Sequence, residues 1–284
     1  MLIWLASYPK SGNTLIRSML AAYFFSKDGV YNFDQIKNIK QFPKSALFER
    51  MGINIQKEKE VIKNYIKVQE SFNKKDSIQF LKTHSYLFNI DNYPFTNLNN
   101  TLGVIYIVRD PRNVVTSWSK FANYSLEDSA NIMIKTQKFG GDIYNPNKAE
   151  KTTVYIGTWN GNYNSWKSFK SIGKYLLIKY EDLIQDRDLA FRKILKFLSD
   201  LQGIKFKIDQ EKFNNVIKTT DFETMKNLEK KKGFFEGKIN SKTGEKIPFF
   251  NLGPKNDWKK LLDPKTRIKI EEAFRKEMKE LNYL

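Results

Sequence analysis

Four short segments of the chain are rich in the apolar and β-branched residues that form buried strands. They lie at residues 2–6, 78–84, 102–108 and 175–179. Between and after them, apolar residues recur every three or four positions, which is the spacing of an amphipathic helix. Strands that alternate with helices along the chain favour a parallel sheet with helices on its faces. The predicted fold class is therefore α/β, with a central parallel sheet flanked by helices in a single domain over residues 1–284.

The turn after the first strand carries the sequence YPKSGNT at residues 8–14. Gly12 supplies backbone freedom, so the next helix is expected to begin within two residues of it, with Asn13 or Thr14 as the N-cap. Free N–H groups and the helix dipole favour an anion there, and Lys10 adds a positive charge. The triphosphate motif G-x-x-x-x-G-K-[ST] is absent, because Lys10 precedes the only glycine of the turn. We predict a phosphate site, against the alternative of a tight turn with a solvated lysine.

Two basic side chains, Lys82 and His84, close the second predicted strand. Ligands bind beyond the carboxyl ends of strands in parallel α/β sheets, so we expect both residues near Lys10. His84 is the only histidine of the chain, and the ordinary pKa of an imidazole suits proton abstraction near neutral pH. We predict that His84 is a catalytic base, against the alternative of a histidine without a chemical role.

The third predicted strand ends in Arg109, and a helix is expected to start at Pro111 with Asp110 as its cap. Ser117 lies two turns into that helix. An arginine at a strand end and a hydroxyl on the next helix could hold one phosphate from two sides. The alternative, in which Arg109 and Asp110 pair with surface charges, stays open at this point.

Residues 230–256 form a long segment that is rich in lysine and contains four glycines. A segment of this length without clear periodicity inside a compact domain is usually functional or disordered. A basic lid over an anionic ligand and a surface loop both fit the pattern.

Composition narrows the possible chemistry. The absence of cysteine excludes disulfides, thiolate nucleophiles and cysteine-ligated zinc. The net charge of +18 attracts polyanions, but the lysines are scattered among acidic residues, so charge alone does not identify the partner. The first apolar run is cut at residues 9–10 and no stretch is long enough to span a bilayer, so we expect a cytoplasmic protein without stable membrane insertion.

Five separated motifs resemble, in the same order, those of the sulfotransferases that use 3′-phosphoadenosine 5′-phosphosulfate (PAPS), of the cytosolic type and its bacterial relatives. They are YPKSGNT at 8–14, LKTH at 81–84, YIVRDPRNVVTS at 106–117, IKYED at 178–182 and TDFETMK at 220–226. The resemblance extends over most of the chain. It implies a P-loop-like α/β domain that transfers a sulfuryl group from PAPS and releases 3′,5′-adenosine bisphosphate (PAP), with no metal required.

The same resemblance implies a role for each matching residue. His84 is implied to deprotonate the acceptor, Lys10 to neutralise the bridging oxygen of PAPS, and Lys82 to hold the sulfuryl oxygens. The implied nucleotide-binding residues are Lys10, Ser11, Gly12, Asn13, Thr14, Arg109, Ser117, Tyr180, Thr220, Phe222 and Gly253.

Two departures from the family pattern affect the nucleotide site. The tryptophan that usually stacks on adenine after the loop threonine is replaced by Leu15, which gives up about 1–3 kcal/mol of stacking. The usual Arg-Lys-Gly element is NLG at 251–253, so two cations expected at the 3′-phosphate are missing. Lys255 or another lysine of the 230–256 segment is expected to replace them.

Two other functions remain possible from the sequence. A kinase-like phosphoryl transferase would need Mg²⁺, which Thr14 and Asp110 could help to bind. A non-catalytic protein that binds polyanions is suggested by the charge alone. For the sulfotransferase, we expect a small-molecule acceptor with a hydroxyl or amine and no nucleic-acid partner; the acceptor's identity and the oligomeric state stay open.

Overall fold

The structure is a computed structural model that describes residues 1–72, 77–135, 138–140, 152–239 and 244–284. The strands are β1 Leu2–Ser7, β2 Lys40–Gln41, β3 Gln79–Thr83, β4 Asn89–Ile90, β5 Tyr93–Pro94, β6 Thr101–Val108, β7 Lys138–Gly140, β8 Thr153–Tyr155, β9 Tyr175–Lys179, β10 Lys238–Ile239 and β11 Lys246–Ile247. The α-helices are α1 Asn13–Phe25, α2 Ser45–Glu49, α3 Glu58–Lys63, α4 Tyr65–Glu70, α5 Pro111–Ala122, α6 Leu126–Ile134, α7 Trp159–Lys167, α8 Tyr180–Gln185, α9 Arg187–Gln202, α10 Gln210–Thr219, α11 Phe222–Lys232, α12 Trp258–Leu261, α13 Pro264–Ala273 and α14 Arg275–Glu280.

The central sheet has five parallel strands in the order β2-β3-β1-β6-β9. Leu5 of β1 lies opposite Lys82 of β3 on one side and Ile105 of β6 on the other. This register aligns the carboxyl ends of the three strands at one edge of the sheet. The loops after β1, β3 and β6, which carry the predicted site residues, therefore meet there.

Side chains of β1 alternate between two hydrophobic layers, as expected for a strand that is covered on both faces. Ile3 and Leu5 pack in one layer with apolar residues of α1, α9 and α10. Trp4 and Ala6 point into the other layer with apolar residues of α4, α5 and α7. The sheet is thus buried between helices, and the predicted α/β architecture is confirmed.

The segment predicted as a lid, 230–256, begins inside a helix, because Lys230, Lys231 and Lys232 form the last turn of α11. A short antiparallel pair, β10 and β11, follows within it. Residues 240–243 of the predicted lid lie outside the described residues. Glu229 at the end of α11 accepts the backbone N–H groups of Phe249 at 2.8 Å and Phe250 at 2.9 Å, which ties the return of the segment to the helix.

Among the helices that the structure describes, none has the length and apolar character that a bilayer crossing requires.

Candidate active site

A cleft with a cavity volume of about 190 Å³ lies at the carboxyl edge of the sheet. Its wall brings together most of the residues predicted from the sequence: Lys10, Gly12, Asn13, Thr14, His84, Arg109, Ser117, Tyr180, Phe222 and Gly253. The other three, Ser11, Lys82 and Thr220, are each at most 1% exposed and do not belong to this wall among the described residues. Residues from distant parts of the sequence thus converge on one site.

The turn between β1 and α1 is fixed from beneath by Asn13. Its Nδ2 donates to the carbonyl oxygen of Leu5 at 2.9 Å and to Ser7 Oγ at 3.2 Å. The prediction that Asn13 or Thr14 caps the helix is wrong, because Gly12 takes the N-cap position in the left-handed region at φ 100°. A glycine has no side chain to bond the first N–H groups of the helix, which leaves them available to an anion.

Gly12 is also required by its surroundings. A Cβ atom at this position would lie 2.4 Å from Cδ2 of Tyr180, closer than real contacts allow. The Tyr180 ring in turn stacks against the guanidinium of Arg109, whose Cζ lies 4.2 Å from the ring centre. The turn, the start of α8 and the end of β6 therefore pack as one unit.

Lys10 lies within the 8–14 turn, with φ 66°, and lines the cleft. Its Nζ is 3.7 Å from the ring centre of Phe121 and 4.8 Å from that of Phe249. Two aromatic faces stabilise a cation by their quadrupoles. The ammonium group is thus held in the cleft by a side chain of α5 and one of the 230–256 segment.

His84 is 3% exposed and is oriented by the end of β1. Its Nδ1 lies 2.9 Å from the carbonyl oxygen of Ser7. Because a carbonyl only accepts, Nδ1 carries the proton and Nε2 keeps the lone pair. Burial, followed by the nearby charge of Lys82, lowers the pKa of His84 well below its ordinary value of 6.5. The imidazole is therefore neutral at physiological pH.

Lys82 lies in a buried ion cluster next to His84. Its Nζ is 3.6 Å from Oε1 of Glu236, a residue of the 230–256 segment. The same carboxylate accepts from Arg17 Nη1 at 2.6 Å and from Thr14 Oγ1 at 3.2 Å. Burial acts to raise the pKa of Glu236, but the charges of Lys82 and Arg17 outweigh it and hold that pKa well below its usual range. Glu236 is therefore a carboxylate.

Arg109 and Ser117 both reach the cleft, from β6 and α5 respectively. Arg109 Nη1 donates to the carbonyl oxygen of Lys10 at 3.2 Å, and its buried Nε has no hydrogen-bond partner among the described residues. A buried guanidinium N–H that lacks a partner is suited to an anion. The alternative had Arg109 and Asp110 pairing with surface charges. Asp110 instead caps α5 and pairs at 2.7 Å with Arg112, whose side chain is buried.

The far end of the cleft is mainly apolar. Phe222, the first residue of α11, packs so closely on Gly253 that a Cβ there would lie 2.2 Å from its ring. Leu15, Leu183 and Met225 line the same cleft. Thr220 faces inward instead, and its hydroxyl donates to the carbonyl oxygen of Val216 at 2.7 Å.

Several cleft residues escaped the sequence analysis: Lys120, Phe121, Leu183, Ile184, Arg187, Pro248, Phe249 and Asn256. Lys120 could have been found, because it follows Ser117 by one helical turn and shares its face. The lining includes Lys120, whereas Lys255, the replacement cation expected from the sequence, is absent from the described lining. The apolar members carry no signal that separates a ligand wall from ordinary core.

Comparisons with known proteins point to one family. The chain is 28% identical over 160 residues to Sulfotransferase 2A2 of Rattus norvegicus, an alignment that covers 55% of this chain but only 49% of that relative. It is 24% identical over 279 residues to Sulfotransferase 1 family member D1 of Mus musculus, covering 98% of this chain and 83% of the relative. The structure of retinol dehydratase in complex with androsterone and the inactive cofactor PAP superposes with a TM-score of 0.57 at 16% identity, covering 98% and 80% of the two chains.

The family model described as the sulfotransferase domain matches residues 2–282. This match confirms the predicted family and enzyme class, and the structural similarity agrees with the predicted fold class. The roles of the individual site residues stay predictions. The chain belongs to the sulfotransferase family.

Proposed function

We propose that this sulfotransferase moves a sulfuryl group from PAPS to a hydroxyl or amine of a small-molecule acceptor, with His84 as the base. The observation that carries the proposal is His84 itself, a neutral imidazole whose Nδ1 is fixed by Ser7 and which lines the same cleft as the uncapped start of α1. The support for PAPS comes from the family match and from the PAP-bound retinol dehydratase.

The donor is proposed to lie along the cleft with its phosphosulfate over the 8–14 turn. The backbone N–H groups of residues 11–14 would hold the 5′-phosphate, as anions are held at helix starts. Arg109 and Ser117 would hold the 3′-phosphate, with Lys120 as the added cation. The adenine ring would lie between the apolar side chains of Leu15, Leu183, Ile184 and Met225. Tyr180, Phe222 and Gly253 would close the adenosine end of the cleft.

The transfer step then needs one base and local positive charge. The acceptor oxygen attacks sulfur in line with the bridging oxygen, so an O–S bond forms to the acceptor and the S–O bond to the 5′-phosphate breaks. The acceptor's proton goes to Nε2 of His84, and the electron pair of the broken bond stays on the phosphate of PAP. Lys10 would neutralise that developing charge and Lys82 the sulfuryl oxygens, since preorganised charge is the main source of catalysis for such a transition state.

The acceptor is proposed to be a small molecule with an apolar body. Phe121 and Phe249 present aromatic faces to the cleft beside Lys10, and the structurally similar retinol dehydratase was solved with androsterone. A cytoplasmic location, a single domain over 1–284 and a lid function for 230–256 stay predictions.

The direct test is calorimetric titration with PAP, with adenosine 5′-monophosphate as the control that lacks the 3′-phosphate. We expect the wild type to bind PAP more tightly than the monophosphate, and Lys10→Ala to weaken PAP binding roughly tenfold. A protein that only binds polyanions would keep its affinity in Lys10→Ala and would show a steep salt dependence. Acceptor-dependent conversion of PAPS to PAP, unaffected by a chelator, completes the test against a Mg²⁺-dependent kinase.

A further inference from the structure

A cluster of buried charges beneath the cleft has no part in the function proposed so far, apart from Lys82. Glu236 binds Arg17 and Thr14 and lies near Lys82, at the distances given above. The side chains of Arg17, Lys82 and Glu236 are 3%, 2% and 9% exposed. Burying three ionised groups costs desolvation free energy, and a function that requires them to be buried together would account for that cost.

The cationic side of the cluster is rigid. Arg17 projects from the second turn of α1, and its Nη2 donates to the carbonyl oxygen of Ile39 at 3.2 Å. Lys82 is held on β3, which is paired on both sides, with β1 and β2. Thr14 belongs both to the cluster and to the wall of the cleft, so the cluster adjoins the proposed phosphosulfate site.

The anionic side is carried by a short segment between two glycines. Gly233 ends α11 with φ 71°, a Cβ there would meet nothing within 4 Å, and Gly237 follows Glu236 directly. The neighbouring Phe234 packs on Phe33 at 4.6 Å and on Phe250 at 5.3 Å between ring centres. Among the described residues, Glu236 is the acidic group that the cluster contains, and it is attached to the fold through a loop rather than through the sheet or α1.

We propose that Thr14, Arg17 and Lys82 form an oxyanion site for the sulfuryl group of the donor, and that Glu236 occupies this site until the donor binds. The proposal rests on the proposed function and adds Arg17 as a sulfuryl-binding residue. A carboxylate and a sulfuryl group both present negatively charged oxygens to hydroxyl and cationic donors. Two like charges cannot share the same three donors, so Glu236 leaves as the sulfuryl group arrives.

The consequence is a preference between nucleotides. PAPS must displace Glu236, whereas PAP has no sulfuryl group and leaves Glu236 in place. The carboxylate therefore weakens the binding of the donor more than that of the product. Removal of its charge should reverse this bias.

The oxyanion site is tested without nucleotide in Glu236→Ala. The melting temperature is measured in sodium sulfate and in sodium chloride of equal ionic strength, for the wild type, Glu236→Ala and the double variant Arg17→Ala with Glu236→Ala. Sulfate can also bind at the 8–14 turn and at Arg109 in all three proteins, so the difference between them is the readout. We expect sulfate to raise the melting temperature of Glu236→Ala by roughly 2–4 °C more than that of the other two. Equal sulfate effects in all three proteins overturn the site.

The assignment to the sulfuryl group is tested by titrating PAPS and PAP into the wild type, Glu236→Gln and Glu211→Gln. Glu236→Gln keeps the volume of the side chain and its hydrogen-bonding atoms, so it preserves the fold if Glu236→Ala does not; circular dichroism checks this. Glu211, exposed on α10, controls for the loss of one negative charge. We expect Glu236→Gln to bind PAPS roughly tenfold more tightly and PAP less than about twofold more tightly, with no change in Glu211→Gln.

Unchanged or weaker PAPS binding in Glu236→Gln overturns the proposal while the proposed function stands. Failure of every protein to bind either nucleotide overturns the proposed function and the sulfuryl assignment with it. The sulfate measurement then still decides whether the three donors bind an oxyanion.

Discussion

At the end of the cleft next to the sheet, the proposed catalytic groups are held by backbone atoms and buried charges, whereas at the proposed adenosine end the side chains pack mainly on one another. His84 is bound to the carbonyl oxygen of Ser7, and Asn13 to that of Leu5, each at 2.9 Å. At the other end, Phe222 packs on Gly253 and its ring centre lies 6.3 Å from that of Phe250. The first end is fixed by directional hydrogen bonds, and the second by contacts without a preferred direction.

Because of this difference, the two ends of the cleft are expected to contribute differently to catalysis and to nucleotide binding. Hydrogen bonds to strand ends hold a reacting group in one geometry, which is what a transfer step needs. Apolar contacts can be rearranged at small cost, so they adapt to the adenine ring without determining which reaction occurs. We therefore expect substitutions at the sheet end to change turnover and substitutions at the adenosine end to change nucleotide affinity.

The largest effect is expected for His84→Ala. Loss of the base should lower kcat by about 10²- to 10⁴-fold, because proton removal from the acceptor is then left to water. PAP affinity should stay within about twofold of the wild type, since no contact to the nucleotide is removed. Steady-state kinetics and PAP titration on the same preparation measure both quantities. An unchanged kcat would remove His84 from the mechanism, and a parallel loss of PAP affinity would erase the distinction between the two ends.

Arg109 contacts both ends, and its substitution tests whether it binds the 3′-phosphate or supports the 8–14 turn. Arg109→Ala should weaken PAP binding roughly 10- to 100-fold through the loss of charge-assisted hydrogen bonds to the 3′-phosphate. The affinity for adenosine 5′-monophosphate, measured by the same titration, should hardly change. Because Arg109 also donates to the carbonyl oxygen of Lys10, an equal loss for both nucleotides would show that it supports the turn instead. Arg109→Lys is the matched variant that keeps the charge.

Leu15→Trp probes the adenosine end by a gain of function. An indole at this position should stack on the base and tighten PAP binding roughly fivefold to tenfold, the lower part of the range for base–aromatic stacking. The value of kcat should not change, because Leu15 contacts no reacting atom in the proposed site. Titration of Leu15→Trp and of Leu15→Phe, which offers a smaller ring, should give affinities in that order. A fall in kcat with either ring would mean that the two ends are coupled.

The strands and the strand-end residues were predictable because their signals are local. The four predicted strands correspond to β1, β3, β6 and β9, and the helix start at Pro111 agrees with its Asp110 cap. The two-residue strand β2 was too short to leave a pattern. At α1 the expected cap was wrong, since the side-chain amide of Asn13 donates to the carbonyl oxygen of Leu5 and to Ser7 Oγ instead of capping the helix start. Local propensity could not anticipate that competition.

The buried cluster could not be predicted, because its members are far apart in the chain. Glu236 is 219 residues from Arg17, and nothing in the sequence around it distinguishes it from the exposed acids of the same charged region. Likewise Leu183 and Met225 sit in ordinary amphipathic helices, so their place in a cleft wall depends on how α8 and α11 pack. Motifs predicted which groups react, and only the tertiary structure shows what surrounds them.

The smallest expected effect concerns pH and tests whether the sheet end is as enclosed as the geometry indicates. Burial and the charge of Lys82 lower the pKa of His84 well below 6.5, so the imidazole stays neutral as the pH falls from about 8 to 6.5. Turnover should therefore change less than about twofold over that range, whereas an imidazole of ordinary pKa would be half protonated at its lower limit.

The same shift affects stability, and its sign follows from proton uptake. Below pH 6.5 the unfolded chain protonates His84 while the folded chain does not, so the free energy of unfolding decreases as the pH falls. His84→Gln lacks this contribution, and denaturant unfolding at pH 7 and pH 5.5 should show a smaller loss of stability in the variant. An identical loss in both proteins, or an acid limb of kcat centred near 6.5, would mean that water reaches the imidazole. The sheet end would then be no more enclosed or rigid than the adenosine end. The proposed difference, in which one end determines turnover and the other nucleotide affinity, would be wrong.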